Sequence, residues 1–160
     1  MAAWSGFFQS AAGASATLLG LVVVAISINL SRILEFPHLP DRAAAALFPL
    51  GGVLVVALLG LVPAQPIRLF GLEILATGAV VWISTIGSMI GTRSRQAGIP
   101  AWRFWASLVL NQAQSLPFIV AGALLITGNS GGADWIVPGV VFSILSGMTN
   151  TWVLLIEILR

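Results

Sequence analysis

The chain reads as an all-α, polytopic membrane helix bundle of five transmembrane helices, with its N-terminus outside and its C-terminus inside. Three observations predict this. Of 160 residues, 58% are hydrophobic and only 8% are charged, where a soluble domain carries about 25% charge. A chain this short cannot hide so much apolar surface in one soluble core. The apolar residues also fall into five stretches of the ~20 residues that a helix needs to cross ~30 Å of hydrocarbon. Alternating β-barrel patterning is absent, and within lipid a helix satisfies its own backbone.

The spans run over residues 6–31, 43–62, 71–91, 103–127 and 136–158, and residues 1–160 form a single transmembrane domain. No basic n-region follows Met1, and the first apolar stretch is too long for a signal h-region, so it reads as a retained span. Pro37, Pro40 and Asp41 break the chain after it. Asp41 suits the N-cap of the second span, and the two prolines argue against a regular helix there. Pro63 and Pro66 end the second span. The polar run Thr92–Pro100 separates the third from the fourth, and GNSGGAD (Gly128–Asp134) separates the fourth from the fifth.

Orientation comes from the arginines. Arg32, Arg42, Arg93, Arg95, Arg103 and Arg160 fall on one side of a five-span topology, and only Arg68 falls on the other. The positive-inside rule makes the richer side cytoplasmic. Trp4 and Trp135 then mark the outer interface, and Trp102 and Trp105 the inner one. Trp82 and Trp152 lie deeper and read as packing groups.

Two features carry functional content. On the first span, Gly6, Ser10, Gly13, Thr17, Gly20, Val24, Ser27 and Ser31 step by fours and threes along one face. Small residues at this spacing allow close helix approach. The face packs on a helix of the same chain, forms a homo-oligomer seam, or lines a pore. Ser84 and Thr85 of the third span, Asn111, Gln114 and Ser115 of the fourth, and Ser146 and Asn150 of the fifth share one depth. An unpaired amide in hydrocarbon costs several kcal/mol, so these groups should bond one another, water or a ligand. Gly139, Ser143, Ser146, Asn150, Val153 and Glu157 form a second stripe, on the fifth span. The second span has no polar side chain after its start and reads as lipid-facing or as filler. Glu73 sits near the outer end of the third span, within reach of Arg68.

Composition closes several chemistries. The chain has no cysteine and no lysine, and a single histidine, His38. Thiolate sites, Schiff-base cofactors and a His-rich metal centre are therefore not expected. The triplet Glu35, His38 and Asp41 reads as a self-neutralising turn beside Arg32 and Arg42 rather than a metal or pH-sensing site. No phosphate loop, HExxH or nucleophile elbow is present. The expectation is no catalytic residue, no metal, no cofactor and no nucleic-acid partner. The partners expected are the lipid bilayer and either further copies of the chain or a larger membrane complex.

The stretches SINLSRIL (Ser27–Leu34), PHLPDRA (Pro37–Ala43) and TWVLLIEILR (Thr151–Arg160) resemble small, functionally unassigned polytopic membrane proteins of high-GC bacteria. The resemblance implies a bacterial inner (cytoplasmic) membrane location and carries no activity or ligand. The leading functional expectation is a non-enzymatic, self-associating passive channel or solute-transfer unit. The alternative is an accessory or modulatory subunit of a larger complex.

Overall fold

The computed structural model describes residues 4–37, 39–95 and 101–159. It is all-helical: α1 Ser5–Ile28, α2 Leu30–Glu35, α3 Leu39–Gly60, α4 Ile67–Arg95, α5 Ala101–Ile126 and α6 Ile136–Leu159, with a 3-10 turn over Ser130–Trp135 before α6. Five helical segments are long and apolar enough to cross a membrane. Among the groups named from sequence, His38, Arg160 and the side chains of Arg93, Arg95, Trp102, Arg103 and Glu157 lie outside the described residues.

The boundaries differ from the sequence reading at two places: α4 runs from Ile67 to Arg95, beyond the predicted 71–91 at both ends and into the polar run, and the loop after the first span is reorganised. The first span stops at Ile28, because Asn29 turns its amide back on the helix. Its Nδ2 donates to the Ala25 carbonyl at 2.9 Å, and its backbone N–H donates to Ile26 at 3.2 Å. The short helix α2 follows. Helix α3 then begins at Leu39, inside the stretch where prolines argued against one. Pro40 is tolerated because the first-turn N–H groups have no intrahelical partner to lose. Asp41 is therefore not the N-cap. It lies in the first turn, where its carboxylate suits the positive end of the helix dipole.

Helices α1, α3 and α4 lie side by side, and α6 and α5 pack behind them, with α3 touching α1, α4 and α6. The second span is thus the central helix. Leu50, Val53, Val56 and Ala57 are fully buried, while Phe48, Val55 and Leu58 stay exposed on its other side. In a solvent as apolar as the side chains, burial is decided by shape rather than hydropathy.

Shape is set by glycines. Gly71 and Gly122 bring α4 and α5 to near backbone contact: a β-carbon at Gly122 would lie 2.7 Å from the Gly71 carbonyl oxygen and the Leu75 nitrogen. Gly139 receives the face of Phe118 and Gly147 receives Leu50. At the opposite end of α1, Phe8 packs on Gly60 and meets Phe70 edge-on, with ring centroids 6.0 Å apart. The α3–α4 turn contains Ala64 at φ 56°, a left-handed conformation held between two prolines.

Candidate functional site: an intramembrane polar set and an outward small-residue face

The polar set begins on α5. Ser115, fully buried, donates to its own helix at the Asn111 carbonyl, 2.6 Å away. Gln114 is also fully buried, and its Nε2 donates to Asn111 Oδ1 at 3.2 Å. Asn111 reaches α4, where Nδ2 meets Met89 Sδ at 3.5 Å. From α6, Ser143 Oγ donates to the Gln114 carbonyl at 3.4 Å. Gln114 Oε1 is buried and accepts nothing.

Most of the remaining members bond within their own helices. Thr85 donates to Val81 O at 2.8 Å, and the Ser84 carbonyl accepts from Ser88 at 2.9 Å. Asn150 Nδ2 bonds Ser146 O at 2.9 Å and Ser146 Oγ at 3.3 Å. The predicted cluster therefore divides. Asn111, Gln114 and Ser115 form one joined unit, while Thr85, and Ser146 with Asn150, close on their own helices, and Ser84 takes part through its backbone carbonyl. Hydroxyls one turn from a carbonyl find a partner without leaving the helix, and spacing along a sequence does not distinguish that from an interhelical bond.

Two contacts were missing from the predicted set. Ser143 supplies the bond from α6, although it appears in the sequence only as part of a packing stripe. Trp82 donates through Nε1 to Gln112 Oε1 at 3.0 Å, from α4 to α5. Their common depth was the available signal. Trp152, expected to pack, is 68% exposed on α6.

The stripe on α6 points inward, with Gly139, Ser143 and Ser146 buried. The stripe on α1 does the opposite. Gly6, Ser10, Gly13, Thr17, Gly20, Val24, Ser27 and Ser31 are all exposed, and a β-carbon added at Gly6, Gly13 or Gly20 would meet no atom within 4 Å. Packing on a helix of the same chain is thereby overturned. Helix α1 instead seats Phe8, Ala11, Ser15 and Val22 against the bundle. Thr17 and Ser27 donate to carbonyls one turn back, at 2.8 Å each, which leaves the outward face without an unsatisfied hydroxyl donor at these positions.

The charged groups are peripheral. Arg32 pairs with Glu35 at 3.0 Å and lies 4.8 Å from the centre of the Phe36 ring. Glu73 accepts from Gln65 rather than pairing with Arg68. Among the described residues, no three His, Cys, Asp or Glu side chains come together as a metal site. No family model, curated protein or solved structure matches the chain.

Proposed function

We propose that this protein is a non-enzymatic inner-membrane protein of bacteria that self-associates through the outward face of α1 and forms a passive path for solutes. The observation that carries the proposal is the full exposure of the Gly/Ser/Thr face on a helix whose other side is buried. A face this smooth lets two helix backbones approach closely, which drives association where no hydrophobic force exists between helices. Around an oligomer axis the same face presents Ser10, Thr17 and Ser27 to the centre. Apart from Gln114 Oε1, one chain alone commits its buried polar side chains to bonds within and between its own helices, so a path for solutes belongs to the assembly. The arginine distribution supports an external N-terminus and a cytoplasmic C-terminus.

The test is mass in mild detergent, followed by flux in liposomes. The wild-type chain is expected to run as a closed oligomer. Gly13→Leu, which has room in the single chain, is expected to run as a monomer of unchanged helicity and to lose flux. A wild-type monomer, or liposomes no leakier than empty ones, overturns the reading. Co-purification of a different protein in fixed ratio replaces it with the accessory-subunit role.

A further inference from the structure

Helices α5 and α6 run antiparallel in a register that two contacts fix. Phe118 packs on Gly139, and Ser143 Oγ donates to the Gln114 carbonyl. Ser146, one turn further along α6, therefore stands at the level of Asn111, one turn back along α5. The Gln114 side chain reaches that same level, because its Nε2 donates to Asn111 Oδ1 at 3.2 Å. Gln114, Ser143 and Ser146 are each at most 1% exposed. Their polar heads share one buried seam.

Donors and acceptors in this seam do not pair off directly. Gln114 Oε1 takes no hydrogen bond from any side chain or backbone group. Ser146 Oγ accepts from Asn150 Nδ2 at 3.3 Å, and among the described residues it donates to nothing. Ser143 donates at 3.4 Å, well beyond the ~2.7–2.8 Å of an ordinary O–H···O bond. An acceptor without a donor and a hydroxyl hydrogen without an acceptor thus stand at one level of the interface and do not touch. A bridging water is what joins polar groups held apart in this way.

Charge and hydrogen-bond capacity narrow the occupant to water. The chain's five acids, Glu35, Asp41, Glu73, Asp134 and Glu157, lie toward helix ends and in the turns. No carboxylate stands at this depth to hold a cation, and an unpaired cation within the bilayer is costly. A carbonyl left unpaired in hydrocarbon costs more than the ordering of one water. Water also suits either orientation of the amide: exchanging the oxygen and nitrogen of Gln114 turns an unmatched acceptor into an unmatched donor.

We infer that one water molecule is bound between α5 and α6, donating to Gln114 Oε1 and to Ser143 Oγ and accepting from Ser146 Oγ. Three bonds are the usual complement of a buried water. The site lies inside one chain and is independent of self-association through α1, which uses a different face.

The test is proton-detected solid-state NMR of the full chain in lipid bilayers, with isotope-labelled glutamine, asparagine and serine. Magnetisation is transferred from water to the Gln114 side-chain amide and to Ser146. The amide of Asn129, in the exposed turn before α6, calibrates full access. Transfer to Gln114 is expected in the wild type. Ser146→Ala removes one of the three bonds and is expected to lower the transfer rate about fivefold, the ratio that corresponds to one ordinary hydrogen bond. Gln114→Leu is expected to abolish transfer to Ser146. Thr151→Ala removes a hydroxyl already donated to the Gly147 carbonyl and is expected to leave transfer to Gln114 unchanged. Ser143→Ala tests the third contact should Ser146→Ala fail to fold.

No transfer to Gln114 in the wild type overturns the site, as does transfer insensitive to both serine variants. A Ser146 hydroxyl correlated directly with the Gln114 carbonyl, without a water contact, overturns the bridge. A Gln114 carbonyl shift that moves when sodium is exchanged for N-methylglucamine overturns water in favour of a cation. Gly13→Leu is expected to keep the transfer, and its loss there would overturn a site within one chain. A monomeric wild type removes the proposed assembly and leaves every one of these readouts standing.

Discussion

Gly122→Ala adds one methyl at the point where α4 and α5 cross. The new carbon would sit 2.7 Å from the Gly71 carbonyl oxygen, the Leu75 nitrogen and the Leu75 β-carbon. Two of these three are backbone atoms, so no rotamer change relieves the contact. Restoring a normal separation of ~3.5–4.0 Å requires the helices to part by about 1 Å. Leu125, fully buried near the crossing, then loses part of its packing. About 50 atom contacts at ~0.15 kcal/mol each, with a third forfeited by such a gap, come to ~2 kcal/mol. The same figure lies within the ~1–3 kcal/mol usual for overpacking. The matched control is Gly13→Ala, the same chemical change on a helix face with no neighbour. Reversible unfolding in bicelles by a steric trap reads both. The expected outcome is ~2 kcal/mol lost for Gly122→Ala and no loss of single-chain stability for Gly13→Ala. Equal stability of the Gly122 variant and the wild type would refute the argument that backbone proximity holds α4 on α5.

Other outcomes follow from the same geometry. Gln114→Leu removes an acceptor that has no donor, whereas Asn111→Leu strips the buried Gln114 Nε2 of its acceptor. Unfolding measurements should therefore find Asn111→Leu the more damaging by ~1–2 kcal/mol. Phe8→Ala empties the contact with Gly60 and Phe70. Lipid tails are as apolar as the site, so only the cavity contributes, and a loss of ~2 kcal/mol is expected in the same assay. Ala64→Gly relieves a left-handed φ of 56° and should raise the thermal midpoint, by an amount corresponding to under ~1 kcal/mol. For orientation, an impermeant maleimide added to intact cells should label Ser130→Cys and leave Glu35→Cys unlabelled, and the reverse pattern would invert the proposed topology.

The number of helices long and apolar enough to span a membrane was legible because length and composition decide it. Each of the five predicted stretches contains a helix that the structure also shows. The interior was less legible. In water, the helix lacking polar residues could be placed by burial, but hydrocarbon does not distinguish an apolar face turned to protein from one turned to lipid. Helix α3 therefore gave no sign of being central. The direction of the α1 stripe was hidden for a related reason. Ser15, which is buried, and Thr17, which is exposed, each close on a carbonyl of their own helix, so neither hydroxyl advertises its surroundings. In the polar set, the pairing of Gln114 with Asn111 three residues away was readable from helical spacing. The bonds from Ser143 and to Met89 required knowing which helices adjoin, and local pattern does not contain that.

The tight Gly71–Gly122 crossing bears on how the chain enters a membrane during synthesis. Helix α5 carries Asn111, Gln112 and Gln114, and polar residues raise the cost of partitioning such a segment alone. Asn111 and Gln112 each find a bonding partner on α4. The nascent α5 is thus best released into lipid together with α4, as one helical hairpin, while α3, which has no polar side chain after Arg42, can leave the translocation channel unaccompanied. A mutation that spoils the crossing would then act twice: once on the finished fold, and earlier on the fraction of chains that reach the bilayer at all.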